Sequence, residues 1–177
     1  MIYLVRHTKV SVPCGVCYGQ KDVLPAESFE DELCIIKDNL SHVNPLRIYT
    51  SPLQRCVKLA ERLCHDGMSP ISDNRLMEMN FGHWEGKFWN DIYKEDYARL
   101  WFSSYDTLRC PDGESFKNML DRVSDFKNSL ISKNEDILVI THAGVIRCFK
   151  ILTEGISIKE SFNIEIDYGQ IFKIENK

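Results

Sequence analysis

Two apolar runs in this chain end in the same way. Met1-Ile-Tyr-Leu-Val5 passes without a turn signal into Arg6-His7-Thr8, and Asp136-Ile-Leu-Val-Ile140 passes into Thr141-His142. Short runs of branched apolar residues read as strands buried on both faces, the kind that parallel α/β sheets use. In open sheets of that type, ligands bind beyond the carboxyl ends of the strands. The two runs therefore constrain the fold class and bring an arginine, two imidazoles and two hydroxyls to one sheet edge. Arg6 offers a planar fork suited to phosphate or carboxylate, and His7 is able to act as nucleophile, base or metal ligand. Either run alone reads equally well as a buried strand followed by a polar turn. Two together, with Arg55 at a third strand end, are harder to dismiss.

Between the runs, helical and extended patterns alternate. Residues 9–25 form a loop rich in Gly, Pro and Cys, of a kind that often lines a site. Phe29, Leu33, Ile36 and Leu40 recur at helical spacing, which predicts a helix over 26–40 that covers the sheet. Residues 46–50 read as a strand running into Ser51-Pro52-Leu53-Gln54. Ser at the N-cap, Pro at the first helical position and Gln three residues after the cap form a capping box for a helix over about 52–64. Arg55 then falls in the first turn, where a helix N-terminus already favours anions. Residues 70–73 are a candidate third strand. The segment 76–86 is neither helical nor alternating and sets Glu78 and Glu85 among Phe81 and Trp84, a setting suited to a general acid. A helix over 88–104 is expected to turn Trp89, Ile92, Tyr93, Tyr97 and Leu100 or Trp101 to one face, with 86–110 a candidate helical lid. Pro111-Asp-Gly-Glu-Ser115 starts a helix to about residue 131 with Phe116, Leu120, Val123, Phe126 and Leu130 inward. Ala143-Gly144 turns the second histidine strand into a helix over about 145–152. The tail, 161–174, alternates around Tyr168-Gly169 and reads as a terminal hairpin.

Composition limits the partners. With 177 residues, 44% of them hydrophobic and 27% charged, the chain is expected to form one domain over 1–177 and to bury roughly 70% of its unfolded surface. A formal net charge of −4 gives no electrostatic footprint for nucleic acid or an anionic membrane. Positive charge for an anionic ligand must then be concentrated in a pocket. No stretch reaches the ~20 apolar residues that span a bilayer, and Met1 leads directly into the first strand with no signal peptide. No membrane association and a cytoplasmic location are the expectations. Among the seven cysteines, Cys14-Gly-Val-Cys17 alone has metal or redox spacing. Without a second pair or a Cys/His set, the cysteines read as small hydrophobes, and neither metal nor cofactor is expected.

Five blocks remain: Leu4-Val-Arg-His-Thr8, Tyr49-Thr-Ser-Pro-Leu-Gln-Arg55, Glu78-x-x-Phe-Gly-x-Trp-Glu-Gly86, Pro111-x-Gly-Glu-Ser115 and Thr141-His-Ala-Gly144. In that order they resemble the histidine phosphatase superfamily, in its phosphoglycerate-mutase-like branch. The resemblance implies a three-layer α/β/α sandwich around a mostly parallel central sheet. It also implies that His7 attacks phosphorus to form a phosphohistidine, with Arg6, Arg55 and His142 holding the phosphoryl oxygens. Glu78 corresponds to the family's general acid, and Thr8 and Ser51 to supporting contacts. The His7 ring must be neutral at the attacking nitrogen, so its other nitrogen is expected to bond to backbone.

Within the superfamily, Gly15-x-Cys-Tyr-Gly-x-x-Asp22 looks most like the α-ribazole-5′-phosphate phosphatases of cobalamin nucleotide-loop assembly, which adds Tyr18 and Gly19 as substrate contacts. Where those enzymes carry Pro-Leu after the aspartate, this chain has Val23-Leu24-Pro25. Where mutases carry an asparagine downstream of the histidine, it has Val12 and Pro13, and it is shorter than many mutases; both favour a phosphatase. The expected partner is a small-molecule phosphate ester, with a sugar-phosphate or phosphoglycerate phosphatase or mutase as the enzyme alternative. A phosphoryl-binding interaction module is the non-enzyme alternative, and monomer and homodimer both stay open.

Overall fold

The apolar runs form two adjacent interior strands of the sheet. A computed structural model of the chain describes residues 1–45, 47–65, 67–130 and 135–175. In chain order the elements are β1 (Ile2–Arg6), α1 (Phe29–Leu40), β2 (Arg47–Thr50), α2 (Gln54–Leu63), β3 (Ile71–Ser72), α3 (Trp89–Ile92), α4 (Asp96–Ser103), α5 (Phe116–Ser129), β4 (Ile137–Thr141), α6 (Ala143–Glu154), α7 (Ile158–Phe162) and β5 (Ile171–Ile174). The strands lie in the order β3-β2-β4-β1-β5. The first four are mutually parallel and β5 alone runs antiparallel, on β1.

Side chains alternate across this sheet, as the two-residue strand period requires. Ile2, Leu4, Ile137 and Val139 point into an apolar layer built with α5 and α6. Tyr3, Val5, Leu138, Ile140 and Ile48 point into the opposite layer, covered by α1 and α2. The result is the expected α/β/α sandwich. Register matters most between β1 and β4: Arg6 pairs with Thr141, and the His7 N–H donates to Thr141 O at 3.0 Å. The two histidines therefore leave the sheet side by side.

Several local expectations need correction. Ser51 does not cap α2: the helix begins at Gln54 with Leu53 extended at the N-cap position. The amide of Gln54 instead donates to Asp22 Oδ1 at 2.7 Å, a carboxylate brought from the loop. The helix expected over 88–104 is two helices, because Glu95 is extended and its carboxylate accepts from Trp84 Nε1 at 2.9 Å and Lys87 Nζ at 2.7 Å. Ile92, Ala98 and Trp101 face inward, whereas Tyr93, Tyr97 and Leu100 are exposed. Helix α6 already includes Ala143 and Gly144. In α5, Met119 is buried while Leu120 is only partly so. The expected ends of that helix at 131 and of the second strand at Leu46 lie outside the described residues.

The tail is not a hairpin. Ser157 and Glu160 form a reciprocal capping box that starts α7, and β5 takes its partner from β1 rather than from a local strand. No helix among the described residues is long and apolar enough to cross a membrane.

Leu4 is fully buried between Val139 and Phe172 in the sheet. Leu4→Ala is expected to lower unfolding stability by about 2–5 kcal/mol. Urea titration checks this, read as a lower midpoint at unchanged slope.

Candidate active site

At the carboxyl edge of the sheet, β1 delivers Arg6, His7 and Thr8, and β4 delivers His142. Both imidazoles are buried, and their centroids lie 5.1 Å apart. His7 Nδ1 donates to Thr8 O at 2.7 Å. A carbonyl oxygen only accepts, so the proton sits on Nδ1 and the neutral ring keeps its lone pair on Nε2. Burial, then the charge of Arg55 and lastly that of Arg6, push the His7 imidazole well below its usual range, outweighing the opposing bond to Thr8. His142 is pushed down in the same direction, by burial first and then by Arg55, His7, Arg122 and Arg6.

Arg55 reaches the site from the first turn of α2 and is completely buried. Its guanidinium donates to Gly19 O at 2.7 Å and Lys21 O at 2.9 Å, so the loop predicted to line the site wraps it. Gly19 has a positive φ of 42°, and a Cβ there would come within 2.3 Å of Glu85 Oε1 and 2.8 Å of Met79 O. Only glycine fits this turn without displacing its neighbours. Tyr18 places its ring 5.1 Å from the Arg55 guanidinium. Ser51, freed from capping, lies 2.8 Å from His142 Nε2.

The loop around Glu78 is held rigidly. Arg122 of α5 donates to Arg75 O, Met77 O and Glu78 O at 2.7, 2.7 and 3.1 Å. It is itself held by Glu114 at 2.7 and 3.1 Å. Glu78 Oε1 accepts from Met79 N at 3.0 Å and Oε2 from Gly144 N at 3.3 Å. A Cβ on Gly144 would stand 2.2 Å from Glu78 Oε1, so a glycine at the start of α6 lets this carboxylate approach His142's helix.

Three features were not foreseen. The Arg6 guanidinium carbon sits over the Tyr168 ring, 3.7 Å from its centroid, and that centroid is 5.6 Å from that of His7. Its hydroxyl meets that of Tyr18 at 3.1 Å. Ile166 O accepts from Arg6 Nη1 at 2.6 Å. Cys56, in α2, places its thiol 3.5 Å from His142 Nε2. The sequence marked Tyr168 only as a turn residue, and a main-chain carbonyl such as that of Ile166 leaves no signal in residue identity. Cys14 is exposed and Cys17 buried, so the spaced cysteine pair does not face one site.

A family model described as histidine phosphatase superfamily (branch 1) matches residues 2–177. The chain belongs to that superfamily. As a histidine phosphatase it is 30% identical over 176 residues to the metal-independent phosphoserine phosphatase of Arabidopsis thaliana, covering 94% of this chain and 74% of the relative. It is 27% identical over 165 residues to a 2,3-bisphosphoglycerate-dependent phosphoglycerate mutase of Neisseria meningitidis, covering 72% and 73%. The crystal structure of the α-ribazole phosphatase from Shigella flexneri shares the fold with a TM-score of 0.87 at 20% identity, covering 99% and 96%.

Two imidazoles kept neutral by burial affect stability with a definite sign. Unfolded, each protonates near pH 6.5; folded, each resists until lower pH. Below about pH 6.5 the unfolded state therefore binds more protons, and stability falls as the pH drops, by about 1 kcal/mol per pH unit for each imidazole. Urea midpoints are expected to be lower at about pH 5.5 than at about pH 7.5, with the ring NMR shifts of His7 and His142 unchanged between them. Ring resonances that titrate within that interval would contradict neutral burial.

Proposed function

We propose that this histidine phosphatase hydrolyses a small phosphate monoester without metal, through a phosphohistidine on His7. One observation carries the reading. Among the described residues, Arg6 Nε, Thr8 Oγ1 and Arg55 Nε are buried without a hydrogen-bond partner, beside an imidazole whose Nε2 holds a free lone pair. Buried donors left unpaired are costly, and phosphoryl oxygens are acceptors that would satisfy all three. His7 Nε2 attacks phosphorus in line: the N–P bond forms, the P–O bond to the alcohol breaks, and Glu78 gives its proton to the departing oxygen. Water then attacks the phosphohistidine, Glu78 takes its proton, and inorganic phosphate leaves. Arg6, Arg55 and His142 stabilise the charge that spreads over the equatorial oxygens, the main catalytic demand of phosphoryl transfer.

For the substrate, the run from Gly15 to Asp22 supports α-ribazole 5′-phosphate, in cobalamin nucleotide-loop assembly. The identity to a metal-independent phosphoserine phosphatase over 94% of this chain favours O-phosphoserine as the second reading. Hydrolysis of both beside sugar phosphates and phosphoglycerates, with EDTA present, separates them. A specificity constant for α-ribazole phosphate about a hundredfold above the rest, ~2.7 kcal/mol of transition-state preference, supports the first reading. A flat profile removes it and keeps the chemistry, and no turnover of any ester removes both.

His7→Ala is expected to lower turnover by about 10⁴-fold or more. Glu78→Gln is expected to slow alkyl phosphates by at least about 100-fold and p-nitrophenyl phosphate far less, because nitrophenolate leaves without a proton. Equal losses on the two ester types would count against Glu78 as the acid.

A further inference from the structure

A general acid must touch the oxygen that leaves, so the alcohol part of the ester extends past the acid and away from the nucleophile. Beside Glu78 the chain continues into Met79, which lines a cavity of about 470 Å³. The carbonyl of Met79 abuts Gly19, whose own carbonyl holds Arg55. The cavity thus begins one residue along the chain from the proposed acid, and the main chain of that residue abuts the loop whose carbonyls hold the arginine. Its volume falls in the range of small-molecule sites, roughly 300–1,000 Å³.

We propose that this cavity seats the alcohol part of the substrate, and that this part is a flat, largely apolar ring system. The proposal rests on Glu78 being the general acid. Eight of the nine lining side chains are aromatic and none is charged. Phe81 and Trp89 meet edge to face at 5.2 Å, Trp101 and Phe102 at 5.0 Å, and Tyr93 stacks on Phe102 at 4.2 Å. These are the geometries in which rings attract one another, so the walls are set before a ligand arrives. Tyr93 and Phe162 nevertheless remain about half exposed, at 52% and 48%; a ring system in the cavity would cover such surface.

The nearby cation, Arg147, is engaged: it donates to Ser161 O and, at 2.9 Å, to Ile164 O, and lies 5.1 Å over the Phe162 ring. An alcohol carrying an ammonium and a carboxylate, or a second phosphate, would lose its hydration here with no counter-charge in return.

The test compares two primary alkyl esters whose alkoxides leave alike, 2-(1-naphthyl)ethyl phosphate and ethyl phosphate. In the unaltered protein kcat/KM for the naphthyl ester is expected to exceed that for ethyl phosphate at least about thirtyfold, about 2 kcal/mol. In Phe102→Ala the ratio falls to within about threefold. Because truncating that wall can loosen α4, 2-(1-naphthyl)ethanol is also tested on the unaltered protein and is expected to inhibit p-nitrophenyl phosphate hydrolysis competitively. A ratio near one, O-phosphoserine outpacing the naphthyl ester, or naphthylethanol without effect would each overturn the subsite. Failure to hydrolyse p-nitrophenyl phosphate at all would instead overturn the phosphohistidine reading.

Discussion

The parallel register of β1 on β4 is the constraint on which the site depends. Pairing Arg6 with Thr141 makes the next residue of each strand a histidine, and both rings enter the same buried space. A slip of one residue would send either ring to the opposite face of the sheet. The apolar residues before the histidines fix that register, since both faces of the two strands are covered. Core packing and site geometry are here a single requirement.

The second requirement is to keep buried guanidinium groups satisfied before substrate binds. Carbonyls from irregular segments do this: Gly19 and Lys21 for Arg55, Ile166 for Arg6, and the chain around Glu78 for Arg122. Each arginine thereby ties a loop to the sheet edge, and burial together with the cationic surroundings keeps the imidazoles neutral. The Nε atoms of Arg6 and Arg55 are left over. The protein thus uses part of each fork for its own architecture, and the remainder is what the proposed reaction would offer to a phosphoryl group.

What could be read from residue order follows the same division. The four parallel strands, the helices α1 and α5 and the convergence of Arg6, His7, Arg55 and His142 were legible, because local periodicity and strand ends define them. The pairing of His7 Nδ1 with backbone was also expected on chemical grounds. Ser51 misled because its local pattern suits a helix cap, while the fold uses its hydroxyl for His142 and brings Asp22 from afar to the helix. The break between α3 and α4 depends on Glu95 meeting Trp84, a contact outside helical periodicity. The tail failed for the same reason: β5 finds its partner 160 and more residues upstream, and alternation alone cannot distinguish that from a hairpin.

That long return has a consequence for timing. The bond from Arg6 to Ile166 joins positions 160 apart in sequence, and Tyr168 reaches His7 by the same route. Closing so long a loop costs entropy that only other contacts can offset, and such pairings slow folding. The β1–β4 pair can form without the segment after α7, but the cradle around Arg6 cannot. The proposed grip on a phosphoryl group therefore needs the last segment of the chain in place, and onset of ligand binding would report completion of the fold more faithfully than secondary structure does.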